Sequence, residues 1–196
     1  MISAILKRRS IRKYKSTEVS RQMVEKIIQS GMLAPSSKNR QPWRFIVVTG
    51  NTKANIIYAM NQGLKREKEH PLLPLSAHYL DGAKCTLKIM EQAPVIIFIV
   101  NSLGIDINSQ LNPEERIYEI CNAQSIGAAI ENMSLSATEL GLGSLWICDT
   151  FFAFQELSDC LNVDGSLFAA LAIGYADEAP LARPRKKMND IVQWRD

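Results

Sequence analysis

The chain has 196 residues, 46% of them hydrophobic and 22% charged, and a formal charge of +3. These are the values of an ordinary globule, read as one domain over residues 1–196, and the charge is too small to imply a nucleic-acid partner. The longest apolar run, residues 93–100, is far too short to span a bilayer, and Ile2, Ile5 and Leu6 precede the first charges, the reverse of a secretory signal; no membrane partner is expected and a cytoplasmic setting is the default.

Residues 1–7 read as a short helix delivering a basic segment, Lys7-Arg8-Arg9-Ser10-Ile11-Arg12-Lys13-Tyr14. If that segment is extended, Arg8, Ser10 and Arg12 fall on one side and Arg9, Ile11 and Lys13 on the other. Ser20 has the chemistry of an N-cap, and Met23, Val24, Ile27 and Ile28 mark the apolar face of a helix ending near Gly31. The stretch Ala34-Pro35-Ser36-Ser37-Lys38-Asn39-Arg40-Gln41-Pro42-Trp43 follows. Two prolines bracketing small polar residues make a stiff, non-helical crossing whose amides and hydroxyls are left free to bind. Gln41-Pro42-Trp43 is expected to fix the turn and pack rather than to touch substrate.

Residues 44–49 form a β-rich run closed by the turn signal Gly50-Asn51, and 53–64 read as a helix. From 65 to 82 no fixed period holds, and this long excursion reads as a lid or substrate-side element. A helix over 83–91 leads to a buried-type strand over 95–100. Asn112-Pro113-Glu114-Glu115 opens the longest helix, which runs to about residue 140 and would be roughly 38 Å long. Its apolar positions, among them Ile117, Ile120, Cys121, Ala128, Met133 and Leu135, are interleaved with small residues on more than one face. That pattern fits a helix buried on several sides and, in a domain this size, packed against another subunit.

Gly141-Leu142-Gly143 ends that helix and 144–148 continue as a strand. This is no dinucleotide fingerprint, because Trp146 stands where a third glycine belongs and the order is helix then strand. A short helix over 154–161, a central strand over 166–175 and an irregular basic tail over 179–185 complete the chain. Helices and strands intermix without strict βαβ alternation, which argues α+β: one mostly antiparallel sheet with helices packed around it.

The basic residues concentrate at the two ends, 7–15 and 183–187, and two such clusters can converge on one anion. Two guanidinium groups flanking a hydroxyl, as in Arg8, Ser10 and Arg12, make a natural grip for a phosphate. Cys85, Cys121, Cys148 and Cys160 have neither metal-knuckle nor redox-dithiol spacing, and with only His70 and His78 no metal site is expected. No nucleophile or general base stands out, so no catalytic side chain is nominated.

The basic segment and the proline-bracketed crossing together resemble the nitroreductase family of flavoproteins. Its members open with Arg-Arg-Ser-x-Arg-x-Tyr and then show Ala-Pro-Ser-x-x-Asn-x-Gln-Pro-Trp, both present here in order. The resemblance implies a three-layer α/β/α fold with a central, mostly antiparallel sheet. It also implies a homodimer with FMN at the subunit interface, NADH or NADPH as electron donor, and a small-molecule oxidant. Arg8 with Arg183 and Arg185 would take the FMN phosphate, Arg9 and Ser10 would lie along the ribityl and ring edge, and Arg12 would face the pyrimidine end. Pro35, Ser36, Ser37 and Asn39 would come from the other subunit and cover the cofactor.

Trp146-Ile147-Cys148 aligns with the stretch that passes along the isoalloxazine, where a backbone N–H meets flavin N5. Cys148-Asp149 replaces the Glu-Gly of some relatives, which leaves Cys148 either a ring neighbour or a small packed residue. Lys88 fits a family position at the pyrimidine edge, whereas Cys85 stands where an Asn is common. The activity implied is hydride transfer from NAD(P)H to flavin and on to nitroaromatic, quinone or flavin-type acceptors. Two other readings stay open: a specialised flavin enzyme, dehalogenase- or dehydrogenase-like, and a non-catalytic flavin-binding protein.

Overall fold

A computed structural model describes residues 1–195. Four strands, β1 (Trp43–Thr49), β2 (Val95–Asn101), β3 (Gly143–Ile147) and β4 (Ser166–Gly174), form one sheet in the order β1-β2-β4-β3. Every neighbouring pair is antiparallel. β2 is buried along its whole length because both of its faces are covered. Its alternating side chains divide between two core layers. Val95, Ile97 and Ile99 join a layer with α2 (Arg21–Met32) and α5 (Pro113–Glu139). Ile96, Phe98 and Val100 join the layer of α3 (Thr52–Glu69), α4 (Leu80–Gln92) and α6 (Phe154–Leu161). The α+β class and the three-layer α/β/α arrangement expected from the sequence are those observed; α1 (Ser3–Lys7) lies against α5.

Local chemistry fixes the helix starts. Ser20 Oγ accepts from Met23 N–H at 3.4 Å, and the Asn112 and Glu115 side chains each accept from the other's backbone N–H, with Pro113 at the first helical position. α5 is the long helix foreseen, and its buried line, including Ile126, Ile130, Met133 and Ala137, faces the sheet. Ile117, Tyr118 and Ile120 remain exposed near its N-terminal end.

The 65–82 excursion is shorter than the sequence implies. α3 runs five residues past Leu64 to Glu69, and α4 begins at Leu80, so only 70–79 lie between helices, partly as a 3-10 turn over Pro74–Tyr79. The cause is an ion-pair network. Arg66 Nε donates to Glu156 at 2.6 Å, Arg66 Nη1 to Glu67 at 2.7 Å, and Arg66 Nη2 to the Phe152 carbonyl at 3.1 Å. Glu67, buried, also accepts from the N–H groups of Leu72 at 3.0 Å and Leu73 at 2.6 Å. Charges that resemble a solvated run thus belong to the helix and tether the turn beyond it.

Burial pushes the Glu67 carboxyl up, but the Leu73 and Leu72 N–H groups and the Arg66 guanidinium together outweigh it and hold the group below its ordinary range. A depressed carboxylate stabilises the fold above its unfolded-state pKa, and that contribution is lost as pH falls through the folded-state value. Glu67→Ala is therefore expected to cost roughly 3 kcal/mol at neutral pH, lowering the thermal midpoint by about 6–12 °C. Melting curves followed by circular dichroism should show the gap between wild type and variant closing as pH drops below the carboxylate range. A gap that stays constant with pH would rule out this role for Glu67.

Candidate functional site

Residues 10–15 are fastened between β3 and the stretch that follows β4. Ile11 N–H donates to the Ser144 carbonyl, Lys15 N–H to the Tyr175 carbonyl and Asp177 N–H to the Lys13 carbonyl, each at 2.9 Å. Ser10 pairs with Ser144 in a parallel bridge and Tyr14 with Ala176 in an antiparallel one. Arg12 N–H donates to the Glu178 carboxylate. Ile11 and Tyr14 are buried in the core layer of α3, α4 and α6. Burial, with Glu178 adding to it, pushes the Tyr14 phenol up and keeps it a neutral donor, 2.9 Å from the Ile11 carbonyl and 3.3 Å from that of Ala172. Gly143 permits this close approach: a Cβ there would sit 2.6 Å from Ile11 Cγ1.

The stretch that pairs with residues 13–15 leads directly into the basic tail, so the two charged ends of the chain meet. Arg8, Arg9, Ser10, Arg12, Arg183 and Arg185 line one pocket of about 260 Å³. Arg8 Nε lies 3.4 Å from Glu131 Oε1 on α5. Arg12 Nη1 donates to the Ser10 carbonyl at 3.2 Å, and Arg185 Nη1 to the carbonyls of Arg183 and Pro184, both at 3.3 Å. Arg9 departs from strict alternation. It lines the same pocket as Arg8, with Nη1 turned back to the Leu6 and Arg8 carbonyls at 2.8 Å. A larger groove of about 550 Å³ between α2 and β1 collects Glu18, Arg21 and Glu25 around apolar side chains and has no comparable gathering of cations.

The proline-bracketed crossing lies elsewhere on the same chain. Lys38, Asn39 and Gln41 all have positive φ, 53°, 53° and 48°, in a tight turn that begins as a 3-10 segment over Ser37–Asn39. Side-chain hydroxyls hold it. Ser36 Oγ accepts from Gln41 N–H at 3.0 Å, and Ser125 Oγ on α5 accepts from Ser37 N–H at 3.2 Å. The Arg40 guanidinium sits 4.8 Å from the Tyr118 ring centroid. Pro42 is buried and Trp43 packs on the α2–α5 core layer, as expected of residues that fix the turn. Pro35, Ser36, Ser37 and Asn39 do not line the basic pocket of their own chain.

On β3, Leu145 and Ile147 enter the core while Trp146 is partly exposed on the opposite face. The Trp146 ring passes over Gly127 of α5, where an added Cβ would lie 3.6 Å from Cη2. Cys148 is exposed rather than a small packed residue. Partial desolvation on the side facing the protein pushes its thiol up, and the Asp149 carboxylate adds to the rise. The Asp149 carboxylate accepts from the Thr86 hydroxyl, which ties the end of β3 to α4. Lys88 is exposed, about 200° round α4 from Thr86, and does not line the basic pocket.

Four residues of α5 carry no motif signal: Glu131 meets Arg8 of the basic pocket, Gly127 lies against the Trp146 ring, and Ser125 and Tyr118 hold the 36–41 turn. Only the unusual density of small residues in that helix marks it beforehand. Among the described residues no group of three or more His, Cys, Asp or Glu could hold a metal ion, and no helix is long and apolar enough to cross a membrane.

Residues 5–175 match the family model described as the nitroreductase family. A protein of Archaeoglobus fulgidus named as an NADH dehydrogenase/NAD(P)H nitroreductase is 31% identical over 178 residues, covering 89% of this chain and 84% of that one. A BluB-like flavoprotein from Clostridium difficile 630 superimposes with a TM-score of 0.74 at 27% identity, covering 98% and 97% of the two chains. A structure named as a nitroreductase in complex with FMN, from Desulfovibrio desulfuricans, gives a TM-score of 0.70 at 26% identity over 98% and 95%. With the motifs, the fold and the family match in agreement, the chain belongs to the nitroreductase family.

Proposed function

We propose that the chain is a single-domain, FMN-dependent NAD(P)H oxidoreductase acting as a homodimer. The observation that carries this reading is the meeting of Arg8, Arg9, Ser10 and Arg12 with Arg183 and Arg185 around one small pocket. Guanidinium groups with a hydroxyl among them are the donor set a phosphate monoester requires. The volume suits the phosphate-bearing end of a flavin rather than the whole molecule, since pockets for complete ligands start near about 300 Å³.

Arg8, Arg183 and Arg185 would hold the phosphate, with Arg9 and Ser10 beside the ribityl chain. Arg12 would supply positive charge at the pyrimidine edge, with Lys88 as a further candidate there once the flavin is seated. Trp146, Ile147 and Cys148 would run along the ring, offering a main-chain donor that tunes it without storing a proton. Bound FMN supplies the redox chemistry of two half-reactions, hydride from NADH or NADPH in the first and transfer to a nitroaromatic, quinone or flavin-type acceptor in the second. A reducing, cytoplasmic setting fits the four free cysteines, three of them exposed.

The surface of α5 supports the dimer. At about 100° per residue, Gly127 and Glu131 look toward Trp146 and Arg8, while Ser125 and Tyr118 hold the 36–41 turn. Between these two faces runs an exposed strip that includes Ile117 and Gln124, with Ile120 at its edge. A two-fold axis through the strip would lay each chain's 36–41 turn over its partner's basic pocket. Pro35, Ser36, Ser37 and Asn39 would then cover FMN across the interface.

A spectrum of the purified protein, taken before and after anaerobic NADH or NADPH, tests the proposal. Flavin absorbance that bleaches with either donor is expected. Bound flavin that does not bleach would favour the non-catalytic reading, and a colourless protein that takes up no FMN would end the flavin assignment. Arg8→Ala combined with Arg185→Ala should give folded protein without cofactor, and stoichiometric FMN retained by that variant would refute the phosphate assignment. Ser37→Trp should weaken FMN binding at least about tenfold through the partner subunit, by roughly 1.4 kcal/mol or more. An FMN affinity unchanged in Ser37→Trp would count against a shared site.

A further inference from the structure

We propose that Glu131 of α5 sets how tightly the basic pocket holds a phosphate, by competing with that phosphate for Arg8. The inference rests on the reading of the pocket as the FMN phosphate site. Among the described residues, Arg8 is the pocket arginine engaged in an ion pair, with Glu131 Oε1 at 3.4 Å from its Nε. The other arginines with contacts in the pocket, Arg9, Arg12 and Arg185, donate from their side chains to neutral backbone carbonyls. One guanidinium is therefore shared between a resident carboxylate and any anion that arrives. Glu131 is well placed to keep Arg8 turned toward α5, and equally placed to repel a dianion bound on the same side chain.

Magnitude and sign follow from the geometry. The Glu131 side chain is about half exposed and its contact with Arg8 is long, so solvent and salt weaken the repulsion. The effect should be several-fold in affinity rather than orders of magnitude. Gln preserves the shape of Glu and can still accept from Arg8, so replacing Glu131 by Gln removes the competing charge with little change to the guanidinium position. Because the competition acts only on the phosphate, a flavin lacking one must be indifferent to it.

Full-length wild type, Glu131→Gln and Glu131→Asp, each loaded with FMN or with riboflavin, would be diluted in low and high salt. Free flavin would be read by its fluorescence. Glu131→Gln is expected to bind FMN about three- to tenfold more tightly than wild type, with riboflavin affinity changed by less than about twofold and the FMN gain shrinking in high salt. Glu131→Asp, which keeps the charge, should stay within about twofold of wild type for FMN. If Glu131→Gln leaves FMN affinity unchanged, weakens it, or improves FMN and riboflavin alike, this inference is overturned while the flavin assignment stands. If the wild type takes up no FMN at all, the flavin assignment falls and this inference with it.

Discussion

The anchoring of residues 10–15 decides whether this chain has a site. Three main-chain hydrogen bonds join that segment to Ser144, Tyr175 and Asp177. Each is worth only about 0.5–1.5 kcal/mol net, which would not by itself hold Arg8, Arg9 and Arg12 close to the basic tail. The larger stabilisation comes from Ile11 and Tyr14, buried side chains of a kind that contribute about 1.5–3 kcal/mol each. The apolar members of the basic motif therefore hold the segment, and the arginines are carried to the pocket by residues that never face it. Gly143 belongs to the same constraint, since any side chain there would push Ile11 off β3.

The 36–41 turn obeys a different logic. Three of its residues adopt the left-handed region without being glycine, at about 1–2 kcal/mol each, less for Asn39. That strain is offset by the Ser36 and Ser125 hydroxyls, by Arg40 on Tyr118, and by the Pro42 carbonyl, which accepts from both Ser102 N–H at 2.8 Å and Ser102 Oγ at 3.1 Å. A turn so thoroughly determined from behind, with Pro35, Lys38 and Asn39 exposed in front, presents a fixed polar surface outward. Strain of this sort persists where a precise surface matters more than the stability it forfeits. Among the described residues it does not line the basic pocket of its own chain, so the turn and the pocket are two separate, independently braced surfaces.

How much of this could be read in advance depended on whether each feature had a local cause. The cap at Ser20, the Asn112–Glu115 box, and the helix over Phe154–Leu161 arise from residues within a turn of one another, and all were legible. The meeting of the two basic ends was also foreseeable, though from motif resemblance rather than from periodicity. The length of α3 was not. Arg66 and Glu67 have the appearance of a solvated run, and only Glu156, some ninety residues away, gives them a reason to stay helical. Arg9 shares a pocket with Arg8 although strict alternation would separate them, because its side chain folds back onto the Leu6 and Arg8 carbonyls, which a period-two reading ignores. Glu131 and Ser125 were invisible for a further reason. In a helix lined by small residues on several sides, sequence spacing alone does not say which side meets which neighbour.

Charge has the final word on what the pocket requires. Five guanidinium groups line a space of about 260 Å³, against which the nearby carboxylates are Glu131, on Arg8, and Glu178, whose contact is with the Arg12 backbone rather than its side chain. Like charges gathered so closely oppose the compact state, and solvent screening reduces that penalty without abolishing it. A bound anion relieves the repulsion in the folded chain and has no equivalent site in the unfolded one, so anion binding and folding must be linked in the same direction. The tail that brings Arg183 and Arg185 is joined to the body through the Asp177–Lys13 pairing just before it. It follows that an anion in the pocket would also fasten the two ends of the polypeptide to each other, and stability gained on binding would be distributed to the segment clamp rather than confined to the site.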